Sequence, residues 1–458
     1  MNGDLCTSAP ASGPVWHCEC ELCGTDAAGA LAYFEMAFGE PHHAAAASEG
    51  IADALGFCSR HGRDLLARTP HRIAVARVFE GVVPLVLPLL AQSRFGDERF
   101  QQVYFSAPDA CPACAYEHRA VGRHAARLCR QHFSAGEPGD GQDLPLCNSH
   151  FQVLVRRLKP ERRMPALARH AQALDQAAGA VENLLAGGVP GQAGLADLPS
   201  LAHALGICAC PPNAVPDVPG SSLVEALQVC DDFEQALAWR GACSVCMEVE
   251  RARQRWMTAV PLAVTHHLDD WLFLPTCPEH VSAIAGLGNT AVTAAVAAHA
   301  LRVAGEHAHQ QLRILVRAAE SEAEQAAARI VGWGRRPRRR KSDPPKPPAP
   351  KIARCAACER LAIAELHATG RLLRLLNRDK QRQTFEAGYG LCMKHHAQAY
   401  LLAPKGEVRA VLAADQKHRL SGLMLWLKQE KSSFTHNQAD NAPNAEYVLA
   451  LRRFCGFG

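Results

Sequence analysis

Four times along this chain a Cys-x-x-Cys pair is followed, after a spacer of nearly constant length, by a Cys-x-x-His pair. Cys20 and Cys23 precede Cys58 and His61; Cys111 and Cys114 precede Cys147 and His150. Cys243 and Cys246 precede Cys277 and His280; Cys355 and Cys358 precede Cys392 and His395. The spacers between the second and third cysteines are 34, 32, 30 and 33 residues. A single C-x2-C is more often two buried thiols than a ligand pair. Fourfold recurrence with the histidine in a fixed place points to metal ligation.

The chemistry follows from the donor types. Two cysteines three residues apart can turn both sulfurs towards one point, and a Cys and His at that spacing at a helix start can do the same. Joined, the pairs offer three thiolates and one imidazole, a tetrahedral set suited to zinc with no position left for water. Such a closed site holds structure and does not activate a nucleophile. The expectation is about four zinc ions per chain, one for each pair of pairs read in sequence order. An iron–sulfur site uses the same residue types and is the alternative cofactor. Dithiol redox chemistry is less well served, because no strand precedes the C-x2-C pairs and the C-x2-H pairs have no role in it. Cys129 and His132 form a rival pair for the second set, but Cys147 and His150 match the other spacers. A labile site exchanging between those two pairs would be the enzymatic alternative. Phosphate-binding loops, dinucleotide glycine patterns, nucleophile elbows and H-E-x-x-H are all missing from the sequence, so the reading leans away from an enzyme.

The elements that must position these pairs are helical. The 458 residues are 48% hydrophobic and rich in Ala, Leu, Arg and Glu, with only short runs of strand-favouring residues. The expected fold is all-α, with four helical units in two tandem halves, each unit built around one C-x2-C/C-x2-H site. Residues 1–105 and 106–186 form the first two units, 221–331 the third and 352–458 the fourth. A Gly/Pro-rich linker spans 187–220 and a basic, proline-rich one spans 332–351. The apolar runs at 82–91 and 281–304 read as buried helices; neither suits a membrane span.

The formal charge is +4, of which Arg335 to Lys351 supplies +7 with eight basic residues and one acid, leaving −3 elsewhere (4 − 7). The folded parts therefore carry no general basic bias. The expected partners are proteins, with an acidic partner or nucleic acid drawn to Arg335–Lys341. The nineteen cysteines and the lack of a signal-like N-terminus predict a reducing, cytoplasmic setting.

Gly56-Phe57-Cys58-Ser-Arg-His61, preceded by Cys20-Glu-Leu-Cys23, resembles a bacterial family of uncharacterised, largely helical proteins. That family, a domain of unknown function, carries a C-P-x-C pair, an acidic helical stretch, a G-F-C-x-x-H segment and a long apolar helix, with a second set downstream. Cys111-Pro-Ala-Cys114 and the stretch Cys355 to His395 are similar to the same pattern. Cys243-Ser-Val-Cys246 lacks the proline, and Thr276 departs from the usual residue before Cys277. The resemblance implies a helical fold and metal ligation in two family-like halves, and no reaction.

Overall fold

The computed structural model describes residues 20–39, 43–54, 56–68, 72–91, 111–133, 146–187, 198–208, 227, 230, 232–265, 274–331, 355–404, 406–433 and 453–454. Among them every regular element is helical, as the composition predicts. The basic linker and Arg335–Lys341 lie outside the described residues, as do Cys6, Cys18, Cys210, Cys455, His266 and His267.

The chain forms two compact units. The first comprises Met1–Cys23, Gly122–Pro212 and Met257–Cys358; the second comprises Gly24–Val121, Asn213–Trp256 and Glu359–Gly458. The two units take six alternating segments of the chain, and one of the crossings, between Pro212 and Asn213, falls within 187–220. Part of that stretch is itself a helix, Pro199–Cys208, with Leu201, Ala204, Leu205 and Cys208 buried. Four apolar positions at helical spacing outweigh the flanking glycines and prolines once there is a core to cover.

The first unit is built on two long helices, α7 (Pro160–Ala186) and α12 (Thr290–Val331). Their ion pairs, Glu182 with Arg302 at 2.5 Å and Asp175 with His309 at 2.9 Å, fix an antiparallel register. Small side chains mark the seam: Ala171, Ala177 and Ala178 on α7 and Ala300 and Ala308 on α12 are buried, and Gly305 leaves room for Leu174, whose Cβ lies 3.8 Å from where a Cβ at 305 would stand. The Pro199–Cys208 helix is α8, and it packs on both. The apolar run 281–304, expected as a buried helix, is broken at Gly288, whose φ of +74° suits glycine, into α11 (Pro278–Ala285) and α12. The short α6 (Asn148–Val155) completes this unit.

In the second unit α4 (Arg72–Ala91) is the spine, packed by α2 (Ala44–Asp53) and α16 (Glu407–Ser433). Val75, Val78, Phe79, Val82, Val83 and Val86 are buried, while Pro84 and Pro88 lie on the exposed side. Its remaining described helices include α3 (Ser59–Arg68), α9 (Phe233–Ala238), α14 (Asp379–Ala387) and α15 (Met393–Leu402). Four more helices, α1 (Glu21–Phe34), α5 (Pro112–His132), α10 (Ser244–Thr265) and α13 (Ala356–Leu375), each begin just after the first cysteine of a C-x2-C pair. No described helix is long and apolar enough to cross a membrane.

Candidate metal centres

All eight ligand pairs sit at helix N-termini. Cys147, Cys277 and Cys392 are the N-cap residues of α6, α11 and α15, and Cys58 immediately precedes α3. Each closes the first turn with its carbonyl, accepting for example from the Phe151 amide at 2.9 Å and the His396 amide at 2.8 Å. Cys111 and Cys243 do the same for the Ala115 and Met247 amides, at 3.0 Å each. The spacing of three then places the second ligand of each pair one turn on, beside the first.

The sixteen predicted residues gather into four groups of three Cys and one His, with the donor atoms of each group within 4.8 Å of one another. The pairing differs from the sequence-order expectation and is nested. Cys20 and Cys23 close with Cys147 and His150; Cys58 and His61 close with Cys111 and Cys114. Cys243 and Cys246 close with Cys392 and His395; Cys277 and His280 close with Cys355 and Cys358. In each half of the sequence an inner site lies between the two pairs of an outer one. The physical reason is that loop closure distinguishes poorly between partners. Joining Cys23 to Cys147, 124 positions away, instead of Cys58 costs only about 1 kcal/mol of chain entropy. Helix packing decides instead.

The nesting also explains the interleaved units. The Cys20 and Cys277 sites lie wholly in the first unit, the Cys58 and Cys243 sites wholly in the second. Each unit therefore takes an outer site from one half of the sequence and an inner site from the other.

The donor geometry is that of a single tetrahedral ion. Sulfur–sulfur distances are 3.7 Å for Cys23–Cys147, Cys58–Cys114 and Cys277–Cys358, and 3.9 Å for Cys246–Cys392. Histidine Nδ1 lies 3.3 Å from Cys23, Cys58, Cys114, Cys147, Cys246 and Cys392. A tetrahedron with Zn–S near 2.3 Å and Zn–N near 2.05 Å has edges of about 3.8 and 3.5 Å. The described cysteines form no disulfide.

Electrostatics favour a cation in each group. Cys58 is held far below the usual thiol range, chiefly by hydrogen bonds from Cys111 and Cys114, while Cys114 is driven far above it by the same contacts. Cys355 and Cys277 split in the same way. Burial would raise Cys243, but hydrogen bonds from Cys246 and Cys392 outweigh it, and Cys246 is driven up. Thiols this close cannot all ionise together unless a cation joins them. Burial would lower the histidines, yet hydrogen bonds to the sulfurs push His61 to about 11 and His150 and His280 to about 10. With a divalent ion the donor set carries one net negative charge, and two helix N-termini worth roughly half a positive charge each face it.

Two carboxylates missed by the sequence reading orient the histidines of the second unit. Glu117, 1% exposed, brings Oε1 to 3.0 Å from His61 Nε2 in a close but bent contact, and it also pairs with Arg60. Glu365 Oε1 lies 3.1 Å from His395 Nε2 and 3.0 Å from Lys394 Nζ. Burial would raise the Glu365 carboxyl, but the hydrogen bond with His395 and the charges of His395 and Lys394 lower it to about 2. This is the carboxylate–histidine arrangement that fixes a metal-binding imidazole. The signal was partly present: the basic residue before each histidine, Arg60 or Lys394, pairs with the same carboxylate, whereas Ser149 and Glu279 fill that place in the first unit.

The loop before Cys392 is fixed by two arginines that the sequence did not mark. Arg453 donates to the carbonyls of Leu391 at 2.8 Å and Tyr389 at 2.9 Å, and lies over the Tyr389 ring. Arg419 donates to the Gly388 carbonyl at 2.7 Å. The Tyr389 amide donates to the Trp239 carbonyl at 2.8 Å, tying the loop to the chain just ahead of Cys243.

Cys129 and His132 belong to none of the four groups. The Cys129 thiol donates to the Leu154 carbonyl at 3.9 Å, and burial raises its pKa. Cys208 and Cys230 are buried packing residues, and His396 is buried with Nε2 donating to the Leu412 carbonyl. The fold and sites define a helical protein with four closed Cys3His groups. Comparison with family models, curated proteins and solved structures finds no significant match.

Proposed function

We propose that this chain is a zinc-stabilised helical scaffold that binds protein partners through its helix surfaces. The observation that carries the reading is the closed donor set: three sulfurs and one nitrogen converge on a single point in each of four places. A set of that kind leaves no position for substrate or activated water, which favours a structural ion over a catalytic one. Four donors within 4.8 Å of one another suit one ion, whereas an iron–sulfur cluster spreads its ligands over several irons, so zinc is preferred over a cluster. Reduced thiols at every described cysteine support a cytoplasmic setting. The same nesting in both halves of the sequence supports two family-like copies in tandem, akin to the bacterial helical family of the motif resemblance.

Metal analysis of natively purified, oxygen-protected chain tests this. About four zinc ions per chain and no visible absorption are expected. Iron with visible colour overturns the zinc assignment in favour of electron transfer. Absence of metal with sixteen accessible thiols and imidazoles overturns the scaffold reading altogether.

A further inference from the structure

One stretch of the folded chain carries a clear excess of positive charge. Residues 122–163 contain eight Arg and Lys: Arg123, Arg127 and Arg130 on α5, and five more between Arg156 and Arg163. Four acids oppose them, Glu161 and, outside the described residues, Glu137, Asp140 and Asp143. This stretch nets +4 (8 − 4), as much as the entire chain. With Arg335–Lys351 at +7, everything else nets −7 (4 − 4 − 7).

The fold brings the two runs of arginines to one corner of the first unit. The Cys129 thiol on α5 donates to the Leu154 carbonyl of α6, so the two helices are in contact. Gly122 leaves room for Arg157, whose Nη2 lies 2.7 Å from where a Cβ at 122 would stand. Arg157 and Arg130 both act on the Cys129 thiol. Arg163 folds back to donate to the Leu158 carbonyl at 2.9 Å, beyond the end of α6. On α5 the arginines recur at intervals of four and three, which places them on one stripe about 10 Å long. Arg123, Arg127, Arg130, Arg156, Arg157 and Lys159 are exposed. Arg127 faces Glu21 at 3.7 Å; among the described residues Arg123, Arg130 and Arg156 have no ion-pair partner.

From this we infer that the α5–α6 corner is a docking surface for the phosphate backbone of a nucleic-acid duplex. Seven of the eight cations are arginines, whose planar forks match phosphate oxygens. A lipid surface fits less well: among the described residues none of the large exposed apolar side chains lies on α5, α6 or α7, so these helices offer no apolar wedge for a bilayer. Base stacking is not offered either, since Phe151 is buried and Phe133 partly so. The contact is therefore with backbone charge and is indifferent to sequence.

Fluorescence anisotropy of the metal-loaded full chain with a labelled 30-bp duplex of arbitrary sequence tests this. Salt is stepped from about 50 to 200 mM. The wild type should bind with a steep fall in affinity as salt rises. Arg123→Ala/Arg130→Ala/Arg156→Ala should bind at least about tenfold more weakly and lower the log–log salt slope by about three. The corresponding Arg→Lys triple should keep the slope. Circular dichroism and metal content should be unchanged in both variants, which separates this inference from the zinc-scaffold reading. Failure of the wild type to bind duplex overturns the inference, and so does wild-type binding by the alanine triple. Loss of binding only when Arg335–Lys341 are replaced by serine places the site on the linker and also overturns it. Capture by phosphatidylserine vesicles or poly-glutamate in place of the duplex does the same.

Discussion

The nested pairing predicts which thiols lose protection when one ligand pair is removed. In Cys147→Ser/His150→Ala, sequence-order pairing would strip the metal from Cys111 and Cys114. The structure instead leaves Cys20 and Cys23 without partners and keeps Cys111 and Cys114 closed on Cys58 and His61. The difference is large on the scale that matters. A zinc held by all four donors contributes about 10–16 kcal/mol, and two thiolates alone cannot hold it. The chain-entropy preference between the two pairings is only about 1 kcal/mol, too small to rescue the wrong one. Native mass spectrometry of the variant should show three metals in place of four. Isotope-coded alkylation followed by peptide mapping should then label Cys20 and Cys23 quickly, while Cys58, Cys111 and Cys114 stay protected. Labelling of Cys111 and Cys114 with Cys20 and Cys23 protected would refute the nested architecture and with it the interleaving of the two units.

Other consequences follow from particular side chains. Glu365→Gln should weaken metal binding at the Cys243 site by about 10- to 100-fold, read by competition with a chromophoric chelator, and leave the Cys58 site unchanged. Gly56→Ala should destabilise the second unit by at least about 2 kcal/mol in denaturant titration. Its φ of +116° and a Cβ position 2.3 Å from the Phe454 carbonyl oxygen both exclude a side chain. Gly24→Ala, inside α1 with nothing within 4 Å, should be neutral or slightly stabilising. His170 stacks on Phe151 at 3.7 Å, and burial lowers its pKa from 6.5 to about 4. It therefore binds a proton more readily unfolded than folded, so its contribution is intact above pH 6.5 and is lost as pH falls through 4. The loss should reach about 2–3 kcal/mol after allowance for partial exposure. His170→Phe, which keeps the stack, should remove that much of the acid sensitivity of unfolding, and an unchanged pH profile would contradict it.

Helix content and the ligand residues were legible because both are local properties. A Cys or His three residues after a Cys converges with it through one helical turn, whatever the rest of the chain does. Glu365 was not legible: it lies seven residues beyond Cys358 yet serves His395 of another site. Arg453 was hidden in the same way, donating to carbonyls more than sixty positions upstream. The basic corner escaped because averaging charge over the chain merged it with an acidic remainder.

The sequence by itself determined that there are eight helix-opening ligand pairs, that they make four sets of three sulfurs and one nitrogen, and that the elements around them are helices. Only the tertiary structure decided which pair closes on which, and so how the chain divides into units. Every C-x2-C pair is chemically able to close on every C-x2-H pair, and chain entropy varies only with the logarithm of their separation. The choice fell to packing: the small-residue seam of α7 with α12, and the apolar spine of α4 beneath α2 and α16, set which helix N-termini meet.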